Sequence, residues 1–187
     1  MVKTPAKPVS LEAFLSLPET KPASEYVDGQ ISQKPMPQGK HSKLQLDYAT
    51  WINSVVKPGR IARAFPELRC TFDGVSIVPD IAVFVWSRIP TDESGEIADV
   101  FPLVPDWTIE ILSPGQRAAR VTKNILRCLR NGAQMGWLVD PKERAVWVYR
   151  PGQEVEIVDE SEVGLPMPEF MGEVEYRVGE LFGLLRL

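Results

Sequence analysis

The 187-residue sequence predicts an α/β (α+β) fold in which helices flank a mixed central β-sheet. Three observations carry that prediction. Apolar residues recur at helical steps over residues 41–56 and then alternate over 60–86, so the chain passes from amphipathic helix to half-buried strand. Residues 107–140 read as strand, helix, strand, the unit that joins two parallel strands through a crossover. Helical and extended runs interleave along the chain instead of segregating, which argues for helices layered on a sheet.

Each element has a local reason. Ser10 precedes LEAFLSL and can cap a short helix with Leu11, Phe14 and Leu15 on one face. EYVDGQIS encloses Asp28-Gly29, a strong two-residue hairpin signal. In the 41–56 helix, Leu44, Tyr48, Trp51, Ile52 and Val55 form the apolar stripe, and Pro58-Gly59 stops it. RIARAF, ELRCTF and VPDIAVFV are short strand-like runs, with Asp73-Gly74 as a turn. Residues 87–105, rich in Pro, Asp, Glu and Ser, read as a loop or insertion. WTIEILSP is a strand ended by Pro114, and the helix over 116–131 stops at Asn131-Gly132. GWLVD and RAVWVYR are strands, followed by edge strands around EVEIV and VEYRV and a short helix near 180–185. No repeat or linker divides the chain, so one domain is expected, with its core over about residues 10–180.

Composition narrows the function classes. The chain is 44% hydrophobic and 25% charged, ordinary for a globular protein. No stretch approaches the ~18 consecutive apolar residues of a membrane span, and MVKTPAKPVS lacks the apolar core of a secretory leader. Cys70 and Cys128 are the only cysteines, which excludes a disulfide scaffold or a cysteine-built zinc site and makes a cytoplasmic location the simplest expectation. His41 is the only histidine, so a histidine-rich metal site is excluded by count. The formal charge of −4 means that any nucleic-acid role must come from a local basic patch. Trp51, Trp107, Trp137 and Trp147 lie in periodic segments and read as core, whereas Trp86 borders the long loop and is the candidate for exposure.

Two carboxylates interrupt apolar strands: Asp80 in VPDIAVFV and Glu110 in WTIEIL. A carboxylate in such a run must sit at a strand end, pair with a cation or hold a metal, because unpaired burial is costly. Adjacent strands lie ~5 Å apart, so the two acids can meet at one point, where oxygen ligands suit Mg²⁺ or Mn²⁺ better than zinc. Two strand-end acids in ordinary salt bridges would give the same pattern.

The arrangement Pro79-Asp80, then Glu110 within a strand, then a helix bearing a lysine resembles the PD-(D/E)XK nuclease superfamily. It resembles the Uma family of restriction-endonuclease-like proteins more closely still. The matching pieces are EYVDG (25–29), His41 opening the long helix, PDIAV (79–83), EILSP (110–114) and GAQMGWLVDP (132–141). The resemblance implies a restriction-endonuclease-like core and a Mg²⁺-dependent (or Mn²⁺-dependent) endonuclease acting on DNA, expected as a homodimer. Asp80, Glu110 and the Ile111 carbonyl would hold the metal. Glu25 would reach the metal through water or hold the lysine, its alternative being a surface strand acid. His41 reads as a packed or capping histidine, Asp28 as a turn residue and Ser113 as a cap for the next helix.

The lysine departs from the family pattern. Leu112 stands two residues past the acid, and the helix position four residues before Cys128 is Asn124, with Lys123 beside it. Lys123 is the expected catalytic lysine, because a lysine one step from the expected position is an unlikely accident and a small shift of the helix would let it serve. On the same helix Arg117, Arg120, Lys123, Arg127 and Arg130 share one face opposite Ala118, Val121, Ile125, Leu126 and Leu129. Arg117, Arg120, Arg127 and Arg130 are the expected DNA-binding residues, although a solvated helix face would look the same. No G-x-S-x-G elbow, phosphate-binding P-loop or dinucleotide fingerprint is present. The competing function is a weak or inactive nuclease-fold module that binds nucleic acid or a protein.

Overall fold

A computed structural model describes residues 9–186, so the reading of the leader falls largely outside the described residues. The Ser10 hydroxyl accepts the Ala13 N–H at 3.1 Å and starts α1 (Leu11–Leu15). A hairpin follows, β1 (Ser24–Val27) and β2 (Gln30–Gln33). Its turn puts Asp28 and Gly29 at φ of 52° and 76°, as a two-residue turn of the I′ kind requires. α2 (Gly39–Val56) begins slightly before its apolar stripe.

The alternating stretch forms β3 (Ala62–Pro66), β4 (Cys70–Phe72), β5 (Val75–Ile77) and β6 (Ile81–Val85). These strands divide between two sheets. β4 and β5 join the first hairpin in a four-stranded sheet of order β2-β1-β5-β4. β3 and β6 join β7 (Trp107–Ile111), β8 (Met135–Asp140), β9 (Ala145–Tyr149) and β10 (Glu156–Val158) in a six-stranded sheet of order β10-β9-β8-β7-β6-β3. Only β7 and β8 run parallel, joined through α3 (Ala118–Arg130), so the large sheet is mixed, as expected. The break between the sheets falls at Val78-Pro79-Asp80, where Pro79 has no N–H to continue a ladder.

Two expectations change. The VEYRV segment is not a strand: Arg177 makes an isolated bridge to Gly164, and α4 (Val178–Gly183) begins immediately after it. Residues 87–105 are largely irregular but not free-standing. Phe101 is buried, its ring 5.3 Å from Phe65 and 5.1 Å from Phe84, and Arg88 pairs with buried Asp106 at 2.6 Å.

The strand period sets the two faces of the large sheet. Trp107, Ile109 and Ile111 face α2 and α4, where they meet Leu44, Tyr48, Ile52, Val56, Leu181 and Phe182. Fully burying one such side chain contributes about 1.5–3 kcal/mol. Trp107 and Trp137 are core residues, as expected; Trp51 and Trp147 are half-buried. Trp86 is also half-buried, with the Arg60 guanidinium 5.9 Å from its ring. Both cysteines are buried free thiols, and burial pushes Cys70 up to about 12. Among the described residues no helix is long and apolar enough to cross a membrane.

On the other face, Val121 and Ile125 of α3 pack on Leu138 and Tyr149. The approach is close at Gly136, where a Cβ would lie 2.3 Å from Ile125 Cγ2 and 3.3 Å from Thr108 Cγ2. Gly136→Ala should therefore push α3 off β8 and destabilise the fold by about 1–3 kcal/mol, as overpacking does. Urea unfolding checks this, with an unchanged midpoint contradicting it.

Candidate functional site

β6 and β7 pair antiparallel with Ile81 opposite Ile109, so one further step sets Asp80 across from Glu110. Glu110 turns toward α3 and the small sheet, and Asp80 turns toward Lys34 of the small sheet and His41 of α2. Asp80 is 2% exposed and bonded through every oxygen. Its Oδ2 accepts the Ile111 N–H at 2.7 Å, and its Oδ1 faces Lys34 Nζ at 2.6 Å and His41 Nε2 at 3.3 Å. Its carbonyl accepts from Gln45 Nε2 at 2.8 Å. Burial alone would raise its pKa, but the Lys34 ammonium and the His41 hydrogen bond overcome that and hold it at about 2.

Glu110 has no such enclosure. It is buried with Lys34 Nζ 3.7 Å from its Oε2. Burial raises its pKa well above the ordinary value, and the charges of Asp80 and Glu25 add to this, against a smaller opposing pull from Lys34. Glu25 sits on β1 and is 4% exposed, so it is not a surface strand acid. Its Oε1 accepts the Val78 N–H at 3.0 Å, while its Oε2 lies 3.3 Å from Asn124 Nδ2 and 3.9 Å from Arg120. Glu25, Lys34, Glu110, Arg117, Arg120 and Asn124 line one cleft of about 350 Å³.

A model of the Uma2 family, described as "Putative restriction endonuclease", matches residues 11–179. The chain belongs to the Uma2 family. A solved structure of "a putative nuclease belonging to DUF820" from Anabaena variabilis is similar at 60% identity, over 96% of this chain and 100% of that one, with a TM-score of 0.94. The restriction-endonuclease-like fold expected from the sequence is thus borne out. A DrdV–DNA complex is similar over 78% of this chain and 11% of that one, at 16% identity and a TM-score of 0.40. No curated protein matches.

The Uma2 fold gathers some of the expected residues and leaves others out. Asp80, Glu110 and Glu25 meet, and Ile111 joins them through its N–H. Lys123 does not: it is exposed on α3, while its neighbour Asn124 is buried and turned to the acids. At ~100° per residue one side chain of the pair points inward and the other out, so Lys123 takes the outer place. Arg117, Arg120 and Arg130 are exposed. Arg127 is engaged with Asp28 of the first hairpin, and Arg120 with Ser32, so the basic face is partly docked on β1–β2. Ser113 does not cap α3, whose N-cap is Arg117. Its hydroxyl lies 3.1 Å from His41 Nδ1, and with Nε2–H aimed at Asp80 the imidazole relays the fixed position of Ser113 to that carboxylate. His41 is therefore bonded into the site and is more than a packing group.

Lys34 is the residue that sequence reasoning missed. It follows β2, and its N–H continues the hairpin ladder by donating to Ala23 O at 2.9 Å. Its side chain donates to Val78 O at 2.6 Å as well as to Asp80. The carboxylates of Glu110, Asp80 and Glu25 raise its pKa above the ordinary value despite the cost of burial.

The donor set fits the divalent cation that the family resemblance implies. Among the described residues no three His, Cys, Asp or Glu side chains form a ready cage. Mg²⁺ commonly uses one or two carboxylates and keeps its waters. Asp80 and Glu110 would supply those two, and burial together with the charges of Asp80 and Glu25 raises Glu110 further than Lys34 offsets, an imbalance that a cation would relieve.

The metal-free protein should show this imbalance in its melting. Glu110, raised in the fold, contributes stability at low pH that is lost as pH rises beyond the ordinary glutamate value of ~4.3. Asp80, depressed, contributes above ~3.9 and loses that contribution as pH falls toward about 2. In chelator, the melting temperature should fall from mildly acidic to alkaline pH. Glu110→Gln should flatten that limb and gain ~2–6 °C at pH 8, which parallel pH series of the two proteins would read.

Proposed function

We propose that this Uma2 protein is a metal-dependent endonuclease that hydrolyses DNA phosphodiester bonds in the cleft at Asp80 and Glu110. The observation that carries the reading is the pairing across β6 and β7: two buried carboxylates share one ammonium, and Glu110 and Lys34 line a cleft whose outer wall is basic. Asp80, Glu110 and the Ile111 carbonyl would hold Mg²⁺ or Mn²⁺. Such an ion, when bound, lowers the pKa of a coordinated water and offsets phosphate charge.

The chain's own residues do the rest. Ile111 N–H and His41 fix the rotamer of Asp80, and Glu25, held by the Val78 N–H, keeps Asn124 and Arg120 in place. Arg117 and Arg120 stand where a backbone phosphate would enter. In the reaction a water oxygen bonds to phosphorus as one phosphoester bond breaks. The proton lost by the water passes to solvent, and the leaving sugar oxygen takes one up. Cutting both strands of a duplex calls for two such sites, which a homodimer of the chain would supply.

Purified protein should nick or linearise plasmid DNA with Mg²⁺ or Mn²⁺ and not in chelator. Asp80→Asn and Glu110→Gln should each lower the rate by at least ~100-fold and abolish the rise in melting temperature given by millimolar Mn²⁺. Retained cleavage in both variants would refute the site, and DNA binding without turnover by wild type would mark a binding module instead. Arg117→Ala should weaken DNA binding and reduce the slope of log affinity against log salt by about 1. An unchanged slope in fluorescence titrations would remove Arg117 from the interface.

A further inference from the structure

We infer that Lys34, delivered by the β1–β2 hairpin, is the catalytic lysine of this site, in place of a lysine on the helix that follows the acidic strand. The inference rests on the nuclease reading and adds the group that steadies the attacking water and the phosphate charge. The geometry of Nζ is the first ground. It donates to Asp80 Oδ1 at 2.6 Å and to Val78 O at 2.6 Å and lies 3.7 Å from Glu110 Oε2, so two of the three donors of the ammonium are spent within the fold and the third is left for water or phosphate. The ammonium is thus fixed between the two proposed metal ligands, and fixed donors act without reorganisation in the reaction.

The second ground is what stands at the alternative positions. Leu112, two residues past Glu110, is apolar, and Lys123 is exposed on α3. Asn124 is buried and points its amide at Glu25 from the side of the cleft opposite the hairpin. Lys34 and Asn124 therefore line the same cleft from two different elements, Lys34 against Asp80 and Glu110 and Asn124 against Glu25, and only Lys34 brings charge. A neutral donor at 124 satisfies Glu25 without placing a second ammonium against Lys34.

A charge swap tests this. Single-turnover cleavage of plasmid at saturating protein and fixed Mn²⁺ should fall by ~100-fold or more in Lys34→Met. Adding Asn124→Lys to that variant should regain at least ~10-fold, because the longer side chain returns an ammonium to the cleft from α3. Melting in chelator gives a reading independent of turnover: Lys34→Met should lose at least ~5 °C, and the double variant should recover about half of the loss. Calorimetric Mn²⁺ binding should persist in Lys34→Met, separating loss of the lysine from loss of the metal. If Lys34→Met is too unstable to assay, a folded and active double variant supports the assignment, and a double variant that neither folds nor cleaves overturns it. Wild-type rates in folded Lys34→Met, or loss of cleavage in Lys123→Ala alone, also overturn it while leaving the nuclease reading intact. A wild type that cleaves with no divalent metal tried overturns the nuclease reading, and the catalytic role with it.

Discussion

The Lys34–Asp80 ion pair ties this molecule together, because it joins two sheets at the one place where both carry buried charge. Asp80 immediately precedes β6, an interior strand of the six-stranded sheet, and Lys34 follows the hairpin of the four-stranded one. Breaking one partner of a buried pair typically costs about 3–5 kcal/mol, since the other is left charged and dry. The hairpin cannot leave Asp80 without exposing that cost, nor can it slide, because Val78 O and the Glu25 carboxylate are bonded in the same place. The docking of the small sheet is thus set by polar contacts as much as by its apolar ones.

The same constraint explains the surrounding elements. Burying three carboxylates near one ammonium requires that nearly every oxygen find a donor. Asp80 draws on the β7 main chain, α2 and the hairpin; Glu25 draws on the β5–β6 connection and α3. Glu110 meets Lys34 only at 3.7 Å, and burial, with the charges of Asp80 and Glu25 beside it, raises its pKa well above the ordinary value.

The sequence made the parts of this arrangement legible that depend on local pattern. Asp28-Gly29 and Asp73-Gly74 set their turns, the stripe from Leu44 to Val55 marked α2, and the β7–α3–β8 unit followed from its periods. Asp80 and Glu110 stood out because a charged residue in an apolar strand needs an explanation. The rest was non-local. The alternating run over 60–86 gives no sign that β4 and β5 leave for another sheet. Glu25 resembled a surface acid, but both faces of β1 are covered, Glu25 meeting Asn124 of α3 and Tyr26 stacking on Phe14 of α1, so both are buried and the alternation that would distinguish them is absent. Lys34 has no local signature at all: its role is created by the docking of one sheet on another.

Placing the ammonium on the hairpin instead of on α3 changes what the site's geometry depends on. A lysine on α3 would share its position with the crossover unit, held by Gly136 against Ile125 and therefore rigid with respect to Glu110. A lysine just past β2 depends on how the small sheet sits. The ion pair of Asp28 with Arg127 and the bond of Ser32 with Arg120 then acquire a second purpose, since they strap the hairpin to α3 and fix Lys34 relative to the acids. On this view the arginines of α3 divide their work. Arg127 holds the hairpin, Arg117 stays open to solvent at the mouth of the cleft, and Arg120 stands between the two. A face that reads in sequence as one uniform basic stripe is therefore split in the fold, with Arg127 and Arg120 engaged with the hairpin and Arg117 left open to solvent.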